Sequence, residues 1–299
     1  MAKLVECIPN FSEGQRKEVI EGLVEVIKGV EGVILLDYSP DPSHNRSVFT
    51  LVGTPEGVKE AAFLAAKRAT ETIDMNRHSG EHPRMGATDV IPFVPIKDIT
   101  MQECVEISKE VAERIAKELG IPVYLYEESA SKPERRNLAA VRKGQFEGMT
   151  EKLKTPGWEP DYGKEMHPTA GVVAVGARMP LVAYNINLNT PDIKIANNIA
   201  RVIRESSGGL SCVKAIGVML EKENIAQVSI NMTNYEKTPL YRVFELVKIE
   251  AERYGVGVIG SEIIGLTPVN ALVDAAKYYL QLNSFNENKQ VLENYLMQG

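Results

Sequence analysis

The sequence has 299 residues, 44% of them hydrophobic and 25% charged, with a formal net charge of -6. That length and composition describe one large or two ordinary domains of a soluble globular protein. The acidic balance makes a poor generic nucleic-acid binder, since phosphate neutralisation needs clustered Lys and Arg, and no apolar run approaches the roughly eighteen residues of a membrane span.

The elements predicted along the first half are a strand over 3–8, a helix over 14–28, strands over 33–37 and 47–53, a helix over 55–73 and a strand over 89–95. Val19, Ile20, Leu23, Val24 and Ile27 fall on one face of the first helix, and Ser12 with Gln15 fits a capping box. Helix 101–119, capped by Thr100 with Glu103, and strand 121–126 follow as an addition. The second half repeats the order: strand 181–188, helix 191–205, strands 213–220 and 226–232, helix 239–254, strand 256–263. A helix over 267–280 and a C-terminal helix over 286–297 close the chain. Thr54-Pro55, Thr190-Pro191, Thr238-Pro239 and Thr267-Pro268 each precede a helix, where Thr caps and Pro loses nothing by lacking an N–H.

Strand-helix-strand twice in succession is the split βαβ unit. The fold class expected is therefore α+β, with two tandem ferredoxin-like subdomains and added helices. The expected boundaries are 1–150 and 181–299, joined by a segment over 151–180. The stretch 142–170 carries the single tryptophan, Trp158, with Tyr162 and His167. It reads as a linker or, equally well given its aromatic residues, as a binding loop at a subdomain junction.

Gly80-Glu81-His82-Pro83-Arg84-Met85-Gly86 packs an acid, an imidazole and a guanidinium between glycines, just before the apolar run Val90 to Pro95. Gly and Pro oppose a helix there, so it is a polar loop at a strand edge, the kind of segment that carries function. His82 is a candidate general acid/base. Arg84 and Arg46 are candidate anion receptors, because a planar guanidinium fixes a carboxylate by two parallel hydrogen bonds. The structural alternative pairs Arg84 with Asp89 or Glu81. His78 and His82 are four apart, but Gly80 and Pro83 spoil a helical zinc pair, and no metal is expected. Gly255-Val256-Gly257-Val258-Ile259-Gly260 has the letters of a dinucleotide fingerprint without its strand-loop-helix context.

The loop resembles the formiminotransferase family, folate-dependent enzymes of histidine breakdown, as do Val5 to Gly14, Asn45-Arg46, Ile73-Asp74-Met75, Gly176-Ala177-Arg178 and Ala183 to Leu188. The resemblance covers nearly the whole chain. It implies two similar subdomains flanking a folate cleft, and transfer of a formimino group from N-formimino-L-glutamate to N5 of tetrahydrofolate with release of L-glutamate. The family's catalytic histidine falls on His82. Its folate-binding stretch falls on Gly163, Lys164, Glu165, Met166, His167, Pro168, Thr169, Ala170 and Gly171. A single imidazole near its ordinary pKa of about 6.5 could then take the proton of the attacking nitrogen and return one to the departing nitrogen. Asp37, Asn45, Arg46, Glu81, Arg84 and Arg178 are the candidates for binding the donor. Two positions depart from the animal pattern: Ala170 stands in place of a tryptophan and Ser39 in place of an acid. Animal members also carry a cyclodeaminase domain, so a stand-alone transferase is expected here.

Tetrahydrofolate would be a co-substrate, with small-molecule partners and neither nucleic acid nor membrane. A homodimer is the assembly such folate transferases often form. A cytoplasmic location follows from Glu6, Pro9 and Asn10 interrupting any leader-like start, and from three dispersed cysteines, Cys7, Cys104 and Cys212. The same site could instead take a formyl group from N-formylglutamate or 5-formyltetrahydrofolate. A tandem RRM-like RNA-binding module shares the element order, but Val48-Phe49-Thr50-Leu51-Val52 and Val228 to Met232 lack the Lys/Arg-Gly-Phe core that it needs, and the chain is acidic.

Overall fold

The computed structural model describes residues 3–293, and the chain divides after Arg178 into two compact units. In the first, β1 (Leu4–Cys7) and β2 (Asn10–Phe11) form one interrupted strand between β4 (Arg46–Gly53) and β5 (Thr88–Lys97), with β3 (Val33–Asp41) outside β4. The interruption falls at Pro9, which has no N–H to give to a ladder. Helices α1 (Lys17–Lys28) and α2 (Pro55–Thr72) make the two crossovers, and these strand pairings are all antiparallel. Buried Val19, Leu23 and Ile27 of α1 pack with Phe49, Leu51 and the alanine face of α2 in the main core.

The addition extends this sheet. After α3 (Met101–Arg114) and a π-helical turn over 115–119 comes β6 (Val123–Glu127), then two short helices, α4 (Leu138–Arg142) and α5 (Gln145–Lys152), and then β7 (Val173–Ala177). Strand β7 inserts parallel to both β5 and β6, with Val90 opposite Ala174 and Val123 opposite Val173. Helices α4 and α5 close the second face of the sheet, setting Val141 and Met149 over Met85, Val90, Tyr124 and Tyr126. This is why β5 is buried continuously from Thr88 to Val94 rather than alternately. The sequence did not predict β7, α4 or α5. The segment 151–180 was expected as a connector, and most of it belongs with the first unit.

In the second unit β8 (Val182–Leu188), α6 (Ile193–Ile203), β9 (Val213–Leu220), β10 (Ile225–Met232), α7 (Leu240–Arg253) and β11 (Val258–Ile264) follow the predicted order. The sheet order β11-β8-β10-β9 repeats that of β5, β1, β4 and β3. Val182, Tyr184, Ile186 and Leu188 alternate inward to meet Ala196, Ile199 and Ile203 of α6. Helix α8 (Val269–Tyr279) follows; of the helix predicted over 286–297, α9 (Glu287–Gln290) is seen, and residues 294–297 lie outside the described residues.

The caps divide. Thr100 and Glu103 form the predicted capping box, and Thr54 Oγ1 accepts the Gly57 N–H at 3.2 Å. The Ser12–Gln15 box does not form. Helix α1 starts later, Glu13 Oε1 accepts the N–H groups of Gln15 and Arg16, and Ser12 Oγ donates to Gly86 O at 2.7 Å. Asp192 caps α6 in place of Thr190, while α7 and α8 begin after Pro239 and Pro268 with no side-chain cap.

Candidate active site

The polar loop after α2 is held by close backbone approaches. A Cβ on Gly80 would sit 2.4 Å from His44 O, and one on Gly86 would sit 2.3 Å from Val172 O, so only glycine fits either place. Asn45 ties three segments together. Its Nδ2 donates to Ser79 O at 2.9 Å, its Oδ1 accepts the Gly14 N–H at 2.9 Å, and its carbonyl lies 2.9 Å from His78 Nε2. A carbonyl only accepts, so His78 carries its proton on Nε2 and its Nδ1 accepts from Arg84 Nε at 3.2 Å. Both ring nitrogens of His78 are thus engaged within the protein, which leaves none for a metal.

Arg84 is 8% exposed and clamps Glu147 of α5 with bonds of 2.9 and 2.6 Å, adding Gln145 at 3.1 Å. Arg84 thus makes a structural pair, as one of its two readings from the sequence expected, but the partner is Glu147 and neither Asp89 nor Glu81. The Arg84 contact holds the Glu147 carboxyl below its ordinary range. Asp89 instead bonds Arg142 of α4 and accepts the Met85 N–H at 2.9 Å. Arg142 was missed because nothing in its local sequence marks it; only the packing of α4 against the sheet brings it in. Arg46 donates through Nε and Nη2 to Asn10 Oδ1, at 3.0 and 2.5 Å.

His82 shares a cleft with Ser12, His44, Arg46 and Asp89. Burial pushes its pKa down to about 3, helped by the guanidinium charges of Arg46 and Arg142 and by His44, and opposed by a backbone hydrogen bond at Pro83. The imidazole is therefore neutral at physiological pH. It does not titrate near its ordinary value, as a residue acting alone as both acid and base would. His44 stands opposite, its ring centroid 6.4 Å from that of His82. Its Nδ1 is 2.7 Å from Asp41 Oδ2, and the Asp41 carboxyl is held low by the backbone N–H and side chain of His44 and by the Ser43 N–H.

The stretch Gly163–Gly171 lies against the same loop. His167 and Gly171 exchange backbone hydrogen bonds of 3.2 and 3.1 Å, and His167 Nδ1 accepts the Ala170 N–H at 2.9 Å. Met75 N donates to Thr169 O at 2.8 Å, Ala87 N to Ala170 O at 2.9 Å, and Asn76 Nδ2 to Pro168 O at 2.8 Å, so this hairpin is sewn to both ends of the His82 loop. Lys164 and Glu165 are exposed, and Met166 is half-buried. Trp158 packs edge-on against Tyr124, under the Lys152 ammonium.

Asp37, Glu81 and Arg178 are not among the residues that line this cleft. Asp37 is exposed on β3 opposite Thr50, and Glu81 is exposed in the loop. Arg178 donates its N–H to Phe93 O and lies by Glu6 and Tyr126.

Two family models cover the chain. Residues 4–178 match the N-terminal subdomain of the formiminotransferase domain, and residues 183–295 match the formiminotransferase domain. A glutamate formimidoyltransferase of Streptococcus pyogenes serotype M1 is 67% identical over 298 residues, which cover 99% of this chain and 100% of the relative. The glutamate formimidoyltransferase of Thermoplasma acidophilum is 50% identical, over 95% of this chain and 94% of its own. The formimidoyltransferase-cyclodeaminase of Gallus gallus is also 50% identical, over 94% of this chain but 53% of the relative. The models part where the two units part, and they and these relatives agree on one conclusion: the chain belongs to the formiminotransferase family.

Proposed function

We propose that this protein transfers the formimino group from N-formimino-L-glutamate to N5 of tetrahydrofolate, releasing L-glutamate, as a step of histidine breakdown in the cytoplasm. The observation that carries the reading is a neutral His82, set beside two guanidinium groups in a loop sewn to the 163–171 hairpin. Relatives named for this transfer support it.

In this reading the nitrogen N5 attacks the amidine carbon, and neutral His82 accepts the proton that the attacking nitrogen must lose. Arg46, bonded to the neutral Asn10 amide, supplies the positive charge that a donor carboxylate seeks, and Arg142, held by Asp89, adds to the local positive potential. The hairpin Gly163–Gly171 binds folate, and holding the two substrates against one loop supplies rate through orientation. No step calls for a metal.

The test mixes the protein with tetrahydrofolate and N-formimino-L-glutamate and follows 5-formiminotetrahydrofolate, with a donor-free control. Donor-dependent product is expected, and transfer only from formyl donors would replace this reading. In His82→Ala, turnover should fall by about a hundredfold or more, the contribution typical of a general base. Folate affinity measured by titration should stay within about threefold. Near-normal turnover in that variant would sink the assignment of His82.

A further inference from the structure

Transfer requires two proton movements, and the cleft holds two imidazoles, His82 and His44, that can divide them between a base and an acid. We propose that His44, paired with Asp41, is the general acid that protonates the departing glutamate nitrogen, an inference that rests on the transferase reading above.

The Asp41 carboxylate accepts the N–H groups of Ser43 and His44 at 2.9 and 3.0 Å through one oxygen and faces His44 Nδ1 at 2.7 Å through the other. An ionised carboxylate only accepts, so Nδ1 carries a hydrogen and Nε2 is left to hold the transferable proton. A carboxylate at this distance also pairs with the ring while it carries charge. The His44 and His82 rings line one cleft with centroids 6.4 Å apart and planes at 68°. The attacking and departing nitrogens are bonded to the same carbon of the tetrahedral intermediate. A base and an acid serving them must therefore come from neighbouring positions, as these two rings do. The His44 side chain is 47% exposed, so water can return its proton after each turnover. The charged and titratable groups around the pair are Asp41 on the same turn, Arg46 on β4, His78 and Arg84 in the loop, Asp89 on β5 and Arg142 on α4.

The step balances. The N5 lone pair forms the N5–C bond while the C=N pair moves onto the formimino nitrogen, and His82 takes the proton of N5. The pair on the formimino nitrogen then re-forms C=N as the bond from carbon to the glutamate nitrogen breaks. The electrons of that bond stay on the glutamate nitrogen, which takes the proton from His44 Nε2. His82 has gained one proton and His44 has lost one, and exchange with solvent resets both.

The test compares wild type with His44→Gln. Turnover should fall about a hundredfold, with KM for both substrates within about threefold. The alkaline descent of the kcat–pH profile, which reports the proton on the acid, should disappear. Added imidazole should restore turnover in His44→Ala in proportion to its protonated fraction. Asp41→Asn, which keeps the shape of the turn, should lower kcat with the same unchanged KM values. Full turnover in His44→Gln would overturn the proposal. So would a loss that imidazole does not restore and that leaves the alkaline descent in place. A wild type that transfers nothing overturns the transferase reading first, whereas every other outcome bears on His44 alone.

Discussion

Burial and the neighbouring charges of Arg46 and Arg142 keep a proton off His82, so folding and protonation of this ring oppose each other. Its pKa of about 3 in the folded protein lies below the unfolded value of about 6.5. Between those values the unfolded chain binds more protons, and stability falls as pH falls from about 6.5 towards 3. His82→Gln removes this dependence, so thermal unfolding of the variant should be flatter over that window than wild type; parallel curves would contradict the assignment. An anionic donor resting against Arg46 cancels part of the charge that pushes His82 down. Donor binding should therefore raise the pKa of His82, seen as proton uptake when a non-reactive donor analogue is titrated below neutral pH. The sequence marked His82 through its company of Gly, Pro and Arg. It could not show the low pKa, which comes first from burial and then from the charges of Arg46 and Arg142, 36 and 60 positions away in the chain.

Strand β7 and helices α4 and α5 turn a ferredoxin-like sheet into one with two covered faces, and they bring two side chains to the cleft's surroundings, Arg142 and Glu147. The link from β5 to α4 is Asp89, 1% exposed and paired with Arg142. Asp89→Asn leaves a guanidinium without its carboxylate, and breaking a pair this buried costs about 3–5 kcal/mol. Denaturant unfolding should show that loss, together with lowered turnover because Arg142 is no longer fixed near His82. The clamp of Arg84 on Glu147 is more exposed on its acidic side. Arg84→Met should cost less, about 1–3 kcal/mol, chiefly through the bond to His78 that it removes. These elements escaped the sequence reading for a physical reason. Val173-Ala174-Val175-Gly176-Ala177 is buried on both faces and so shows no alternation, and helices of five and eight residues are too short for periodicity to register.

The two units repeat one sheet order over separate cores, the first around Phe49 and Leu51 and the second around Ile186 and Ile230. In the second core Ile186 is fully buried between α6 and the sheet. Ile186→Ala should cost about 2–5 kcal/mol, read out as faster amide exchange in β8 and β10; unchanged exchange there would contradict that core. The repeat was legible because alternation in β8 and one-sided apolar spacing in α1 and α6 are local properties of the chain. So were the Thr100–Glu103 cap, the glycine-rich loop and its histidine, since each depends on residues within a few positions of one another. Local sequence thus carried the element order, the α+β class and the family. Long-range packing decided the rest: that β7 slides between β5 and β6, that Arg84 is bonded to Glu147, and that Arg142 acts on His82. Charges act through distance in space, and in a mixed sheet with parallel crossovers neighbours in space are far apart in sequence.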